Sequence, residues 1–590
     1  MIVVAGCTGD LSKKKIFPAI NKVFRRALGR CMGGEYAARE LDQEDGTLSS
    51  STSAHNLSKY SPITHANPVD VLEKKRYLEA TESRIFSNKL PQSDILKNNN
   101  IYIPRIIGYA RSSLTLKEFI HRIDPNVSYL KETVERIEYY SGEYDQMVEN
   151  IYKIANNADM SQKRVYFYLA VPPETYPGIL KSIQDKIKSG QFRDRPLPTV
   201  LIEKPIGVSL DTFNELKACM SDDSDVFLCV DHYLFKNVLV KYRGIFNESI
   251  LKKLIQPGWI EGVKGYFNET IGVEGRESYY NTSGACRDVL QNHLLLAVAT
   301  VLAGNNTRLS ILQEIESLSK EKVVFGVYSE YYNVITQAHE IPKEVRATHS
   351  ETSLNRVVKD LKTSKLSSAE KGQPTNEDVK ETFIRTETTI KGPWDIPLKM
   401  TAGKKMPSHF VAVVLMMSPS AILFIAKQET SSKDYENPEL LETIIKSLEK
   451  SEEGAVGTEP SKTEDSRTPS PKETYSISTD ESVDVSEESA DDTEKPKRMN
   501  PSSLITGKIK IKITPKESIS IEIKYKKKLA KKINIAIPNS EDRIDAYEHL
   551  FTQLIFESQR SGFSPLSEIQ EQWRIVNPIL DHPEIARISY

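Results

Sequence analysis

Hydrophobic and polar positions fall into two textures along the 590 residues. Up to about residue 232, short apolar runs alternate with amphipathic stretches of helical period. IVVAG, IIGYA, VYFYLAV, TVLIEK and VFLCVD read as buried strands. Between them DLSKKKIFPAINKVFRRAL, ETYPGILKSIQDKI and LDTFNELKACM read as helices. Strands alternating with helices predict a parallel, doubly wound, Rossmann-like α/β domain over residues 1–232. Beyond Tyr233 the pattern changes. WIEGVKGYFNE, ETFIRTETTI, HFVAVVLMM, GKIKIKITP and SISIEIKY alternate in a way that fits sheet strands, and VLQNHLLLAVATVLA and DAYEHLFTQLIFESQ are helical. This predicts an α+β domain over 233–590 built on a large, mainly antiparallel sheet.

Three stretches break the pattern and read as insertions, at about 31–100, 338–378 and 430–502. The last contains a Ser/Glu/Asp-rich run from Ser451 to Arg498 with almost no large apolar residue. Such a run buries too little surface to offset chain ordering and is expected to be disordered. A phosphorylation-tuned segment centred on SRTPSP and a loop expanded without consequence both fit it. The longest apolar stretch, FVAVVLMMSPSAILFIA from Phe410, is interrupted by Ser418, Pro419 and Ser420. It is therefore expected to be two sheet strands and a turn, with no membrane span.

Bulk properties narrow the classes. A formal charge of −2 gives no basic excess that would point to nucleic acid. The five cysteines, Cys7, Cys31, Cys219, Cys229 and Cys286, show no CxxC spacing, against a zinc site or a disulfide framework. Reduced thiols and an N-terminus that starts directly in a strand lead to the expectation of a cytoplasmic protein.

Two places carry candidate chemistry. GCTGDLSKKK, Gly6 to Lys15, joins the first strand to the first helix, where glycines let backbone amides approach a pyrophosphate. Its Gly-x-x-Gly spacing also suits a tight turn with a capping Asp10. The second place is VFLCVDHYLFK, where a core strand ends in Asp231, His232, Tyr233 and Lys236. His232 and Lys236 would share a face if a helix started there.

At these residues the chain resembles the glucose-6-phosphate dehydrogenase family. GCTGDLSKKK is similar to its GxxGDLxxKK coenzyme loop, YLAVPPETY to YLALPPxxY, IEKPIG to EKPFG, and CVDHYLFK to RIDHYLGK. GRESYYNTSGACRDVLQNHLL, Gly275 to Leu295, is the longest match, to GRGxYYDxxGxxRDxxQNHLL. The resemblance reaches the last helix and tail and leaves out only the insertions.

The resemblance implies NADP as hydride acceptor and glucose 6-phosphate as substrate, in a homodimer or homotetramer. It implies that Gly6, Thr8, Gly9, Asp10, Leu11, Lys15 and Tyr176 serve the coenzyme, with Arg111 and Thr8 facing its 2′-phosphate. A guanidinium suits a dianionic phosphate. His293 matches the catalytic base that takes the C1 hydroxyl proton, and Asp231 the carboxylate that orients it. His232, Tyr233 and Lys236 match the sugar-phosphate ligands. Lys204 matches the lysine that reaches substrate and coenzyme, with the family's cis proline at Pro205. Glu269 and Asp288 match carboxylates that hold sugar hydroxyls, and Lys404 a further substrate lysine.

The chain departs from the pattern at several points. Cys229 stands for Arg, Phe235 for Gly, Asn237 for Glu, His409 for Arg and Ser418 for Gln. The residues that hold a second, structural NADP in some members are not recognisable. Two other readings follow. One is a member that binds NADP with lost or reduced catalysis. The other is a Gfo/Idh/MocA-type oxidoreductase, a family that shares EKP and a later His but carries GxGxxG and lacks DHYLxK.

Overall fold

The computed structural model describes residues 1–31, 104–156, 164–191, 196–220, 226–340, 379–429, 438–454, 504–538, 544–557, 560–582 and 584–590. The chain divides into two compact units: Met1–Lys236 with Asp542–Gln570, and Asn237–Glu541 with Glu571–Tyr590. The division differs from a cut at residue 232 in two respects: the first boundary falls after Lys236, and a segment near the C-terminus joins the first unit.

The first unit is a six-stranded sheet. Its strands are β1 (Ile2–Ala5), β2 (Ile106–Ala110), β3 (Ile137–Ser141), β4 (Tyr166–Leu169), β5 (Thr199–Ile202) and β6 (Phe227–Cys229), in the order β3-β2-β1-β4-β5-β6. Every pairing is parallel. β1 and β5 are buried at every position, as a sheet covered on both faces requires. The strand order reverses between β1 and β4, which opens a crevice at the carboxyl ends of these strands.

The returning segment is tied to this unit by charge and backbone. Glu548, almost fully buried, accepts from Arg26 at 2.9 Å and lies 3.5 Å from Lys22, both on the helix Phe17–Cys31. Cys229 and Ser564 exchange two backbone hydrogen bonds of 3.0 Å. Phe235 is fully buried with its ring edge on Phe563, 5.0 Å between centroids. A Cβ at Gly562 would lie 2.6 Å from that ring. The bulky residue at 235 thus has a glycine across from it.

The second unit is a nine-stranded sheet of β7 (Ile260–Asn268), β8 (Val323–Val327), β9 (Phe383–Ile390), β10 (Ile396–Gly403), β11 (Phe410–Met417), β12 (Ile505–Thr514), β13 (Ser518–Tyr525), β14 (Lys528–Ile535) and β15 (Ala586–Ser589). The order is β14-β13-β12-β11-β7-β10-β9-β8-β15. β7 with β10 and β8 with β15 are parallel; the other pairs are antiparallel. The helix Leu295–Ala303 is buried along its length. Among the described residues, no single helix is long and apolar enough to cross a membrane.

Two expectations are corrected. SPSAILFIA is not a second strand: Pro419–Glu429 is a helix following β11. Ser418 caps it, its hydroxyl accepting from the Ala421 amide at 3.3 Å, and Pro419 takes the first helical position. The insertion read as 430–502 is also too wide, because Pro438–Gly454 is a helix with Leu441, Ile444 and Leu448 buried. The disorder expected for 451–498 falls, apart from the end of that helix, outside the described residues, as do most of 31–100 and 338–378.

Phe235→Ala should destabilise the protein by ~3–5 kcal/mol through the lost ring and the cavity it leaves. Chemical denaturation of the two proteins side by side measures this directly.

Candidate active site

In the first unit the loop after β1 turns at Gly6, where φ is +74° and a Cβ would sit 2.1 Å from the Ala170 carbonyl oxygen. No other residue fits there. The Gly9 amide donates to the Gly6 carbonyl at 3.0 Å, and the Ser12 hydroxyl donates to the same oxygen at 3.1 Å. The loop thereby leads straight into a helix, and Gly9 and Asp10 are exposed at its mouth. Asp10 does not cap this helix; its carboxylate pairs with Lys14 at 2.7 Å. Thr8 and Leu11 are partly exposed beside it, and Lys15 lies 3.6 Å from Asp545. A bare loop with amides ahead of a helix N-terminus fits the pyrophosphate of a dinucleotide.

Arg111 follows β2 directly. It is exposed, with its guanidinium 5.6 Å from the centre of the Tyr144 ring. Cys7, behind the loop, is fully buried, and burial pushes its thiol well up, as it does for Cys229. Both are small apolar fillers rather than reactive groups.

The end of β5 presents Lys204, whose ammonium lies 3.1 Å from Asp231 Oδ2. The Lys204–Pro205 bond is cis. Asp231 Oδ1 accepts from the Tyr233 amide at 2.8 Å. His232, Tyr233 and Lys236 follow on tight turns, with Leu234 N donating to Asp231 O and Lys236 N to Tyr233 O. No helix starts at this strand end; the helix begins only at Asn237. The Lys236 ammonium is 5.7 Å from the Tyr233 ring centre, and His232 stacks on Tyr547 at 6.1 Å.

Beneath these groups lies a cluster that the motifs did not reveal. Glu203 is buried and accepts from the hydroxyls of Tyr168 and Tyr547, while its carbonyl accepts from Tyr176 at 2.7 Å. Burial raises the Glu203 carboxyl above its ordinary range, against the lowering effect of Tyr168. Tyr176, expected to serve the coenzyme, is almost fully buried, its hydroxyl held by the Glu203 carbonyl. The Glu203–Tyr547 contact spans 344 residues, so no local spacing signals it.

In the second unit a polar cluster grows from the parallel β7–β10 pair. Asn268 is in register with Gly403, so Glu269 and Lys404 emerge side by side. The Glu269 amide donates to Gly403 O at 2.9 Å. The Lys404 ammonium lies 2.5 Å from Glu269 Oε2, 3.4 Å from Asp288 Oδ2 and 5.6 Å from the Tyr280 ring centre. Lys404 is 8% exposed, so the two carboxylates offset its loss of hydration.

His293 stands on a π-helical segment, Cys286–Leu294, and its ring stacks on Phe267 at 5.6 Å. Two glycines make this approach possible. A Cβ at Gly265 would lie 3.1 Å from Leu294, and one at Gly284 would lie 2.3 Å from Glu381 Oε1. Glu381, fully buried, accepts from the Cys286 amide at 3.0 Å and closes the start of the segment. Thus Glu269, Asp288, Lys404 and His293 are gathered on one end of β7. His409 lies at the entry to β11, partly exposed.

Comparison with known proteins agrees with this architecture. Two family models match, "Glucose-6-phosphate dehydrogenase, NAD binding domain" over residues 91–240 and "Glucose-6-phosphate dehydrogenase, C-terminal domain" over 245–449. The first begins past the Gly6 loop. Glucose-6-phosphate 1-dehydrogenase of Schizosaccharomyces pombe is 30% identical over 272 residues, covering 43% of this chain and 50% of the relative. The bifunctional glucose-6-phosphate 1-dehydrogenase/6-phosphogluconolactonase of Plasmodium falciparum is 26% identical, covering 56% and 38%. The chain thus spans about half the length, or less, of the curated relatives it matches. A solved glucose-6-phosphate dehydrogenase in complex with its substrate superposes with a TM-score of 0.58 at 16% identity, covering 100% of this chain and 93% of that one. The Mycobacterium avium glucose-6-phosphate 1-dehydrogenase gives 0.55 at 19%, with the same coverage. By both halves of its sequence and by its fold, the chain belongs to the glucose-6-phosphate dehydrogenase family.

Proposed function

We propose that the chain oxidises D-glucose 6-phosphate at C1 to 6-phospho-D-glucono-1,5-lactone, with NADP as hydride acceptor. The observation that carries this reading is the cluster at the end of β7. There His293 stacks on Phe267 of β7, and just past the end of that strand a lysine is flanked by two carboxylates. Sugar hydroxyls need paired acceptors and donors, and Glu269, Asp288 and Lys404 supply both.

In this reading His293 takes the C1 hydroxyl proton as the C1 hydride leaves with its electron pair, and the C1–O bond becomes the lactone carbonyl. An imidazole ordinarily titrates near neutral pH, which suits a base that must be neutral before the step and charged after it. In the family pattern Asp231 stabilises that cation. His232, Tyr233 and Lys236 hold the sugar phosphate, a dianion matched by cations and a hydroxyl. The coenzyme supplies the hydride acceptor. The Gly6 to Lys15 loop holds its pyrophosphate, and Arg111 its 2′-phosphate. In the family pattern Lys204 reaches both substrate and coenzyme. The assembly implied is a homodimer or homotetramer, and the compartment the cytoplasm.

The departures at Cys229 and Phe235 leave this reading intact, because both side chains are buried and satisfied by packing. A member that only binds NADP is tested by the same assay as the enzyme. Purified protein with glucose 6-phosphate and NADP should build up absorbance of the reduced nicotinamide; coenzyme binding without turnover at millimolar substrate would reject the activity. His293→Asn should lower kcat ~10²–10⁴-fold with coenzyme affinity nearly unchanged. Arg111→Ala should raise KM for NADP ~10–100-fold and leave KM for NAD nearly where it was, since charge-assisted bonds to the 2′-phosphate are lost.

A further inference from the structure

Lys404 stands one residue past β10, where the chain leaves the sheet in a sharp turn. Lys405, next in the chain, has a φ of +54°, a left-handed conformation that residues with a side chain seldom adopt. Such a turn persists only where its surroundings fix it. Here the Lys404 amide donates to Thr382 O at 2.9 Å, that of Lys405 to Ile271 O at 3.2 Å, and that of Met406 to Glu269 O at 2.8 Å. The Lys404 carbonyl accepts from the hydroxyl of Tyr590 at 2.8 Å, across 186 residues of chain. The two side chains then diverge. Lys404 turns to Glu269 and Asp288, while Lys405 reaches Glu274 at 3.1 Å.

Tyr590 arrives on the end of β15, the edge strand beside β8. Its amide donates to Val327 O and its carbonyl accepts from the Ser329 amide, both at 3.2 Å. The ring centre lies 5.7 Å from that of Phe383 and 6.2 Å from that of Tyr328. Phe383 is opposite Gly403 in the β9–β10 register, so this support reaches the last residue of β10. The phenol has a single proton to give. Lys404 O at 2.8 Å takes it in preference to Thr382 O at 3.2 Å, and the Thr382 hydroxyl is placed to donate back at 3.0 Å. Burial holds the phenol well above its ordinary range, against the lowering effect of the Thr382 hydroxyl, so it stays a donor.

The same hydroxyls reach the other side of the cluster. The Tyr328 amide donates to Thr382 Oγ1 at 3.1 Å, and the Tyr328 hydroxyl accepts from the Val273 amide at 2.9 Å. Val273 belongs to the loop that leaves β7 through Glu269. Tyr590, Thr382 and Tyr328 therefore link the turn bearing Lys404 to the loop bearing Glu269, through groups that take no part in the ion pair.

We propose that Tyr590 is a positioning residue for the sugar site. Its hydroxyl fixes the Lys404 main chain, and with it the place of the ammonium between Glu269 and Asp288, before a substrate arrives. It acts through Lys404 and not by contact with substrate or coenzyme. A lysine fixed in advance lowers the ordering cost of binding, which the substrate would otherwise have to meet. The role rests on the reading of this cluster as the glucose 6-phosphate site, and the test keeps the two apart.

Tyr590→Phe removes the hydroxyl and keeps the ring. It should raise KM for glucose 6-phosphate ~3–10-fold, as loss of one net hydrogen bond predicts, with kcat within about twofold and KM for NADP unchanged. An unchanged KM for glucose 6-phosphate overturns the role, and a lowered unfolding midpoint beside it would mean that Tyr590 merely ties down β15. Equal rises in both KM values, or a fall in kcat alone, overturn it as well. Amide hydrogen exchange, measured without substrate, reads the turn directly. In Tyr590→Phe, exchange over residues 404–406 should quicken more than exchange within β10; unchanged exchange there rejects the role whether or not the chain turns over. An inactive wild-type protein whose turn still loosens in Tyr590→Phe upholds the positioning of Lys404 and rejects only the sugar reading.

Discussion

Parallel pairing of β7 with β10 is the constraint on which the polar cluster depends. Antiparallel neighbours would carry their ends to opposite edges of the sheet. The parallel pair brings the residues after Asn268 and Gly403 out together, so that a carboxylate and an ammonium share one exit. A parallel pair also needs a long crossover. Here the crossover contains the segment that bears Asp288 and His293, and the gap at Gly265 lets it lie close to the strand. One topological choice thus supplies the histidine, the lysine and both acids.

The first unit follows a different logic. Its six strands end in the same direction, and the polar side chains sit on the turns that leave them: Gly6 after β1, Arg111 after β2, Lys204 after β5, Asp231 after β6. A parallel sheet gives each turn a rigid base and leaves it free of ladder hydrogen bonds. The cost is buried charge. Glu203 is kept beneath Lys204 by two tyrosine hydroxyls, and without them its desolvation would go uncompensated.

Much of this was legible in the chain because it is carried by local pattern. Period-two alternation marks β7, β9, β12 and β13, and apolar runs mark β1, β2, β4, β5, β6 and β11. The polar residues at strand ends stand out against those runs. What was not legible is long-range or ambiguous. SPSAILFIA is apolar enough for a strand or a helix, and only the Ser418 cap with Pro419 decides between them. The turns at His232 to Lys236 carry no spacing that distinguishes them from a helix start. β15 is four residues with no buried position, recognisable only from its partner β8. Tyr547 lies hundreds of residues from Glu203, and its motif says nothing about where its hydroxyl goes.

The return of residues 542–570 to the first unit has a consequence for biosynthesis. The sheet β1–β6 is complete once residue 229 has been made, but Tyr547, Glu548 and Phe563 leave the ribosome long afterwards. Until then Phe235 lacks its aromatic partner, the Arg26 guanidinium lacks Glu548, and Glu203 lacks one of its two donors. Vectorial folding, which ordinarily completes an N-terminal domain first, here lacks these contacts until residues 542–570 have been made. Chains that stop before residue 542 lose these supports of the first-made domain along with the end of the second.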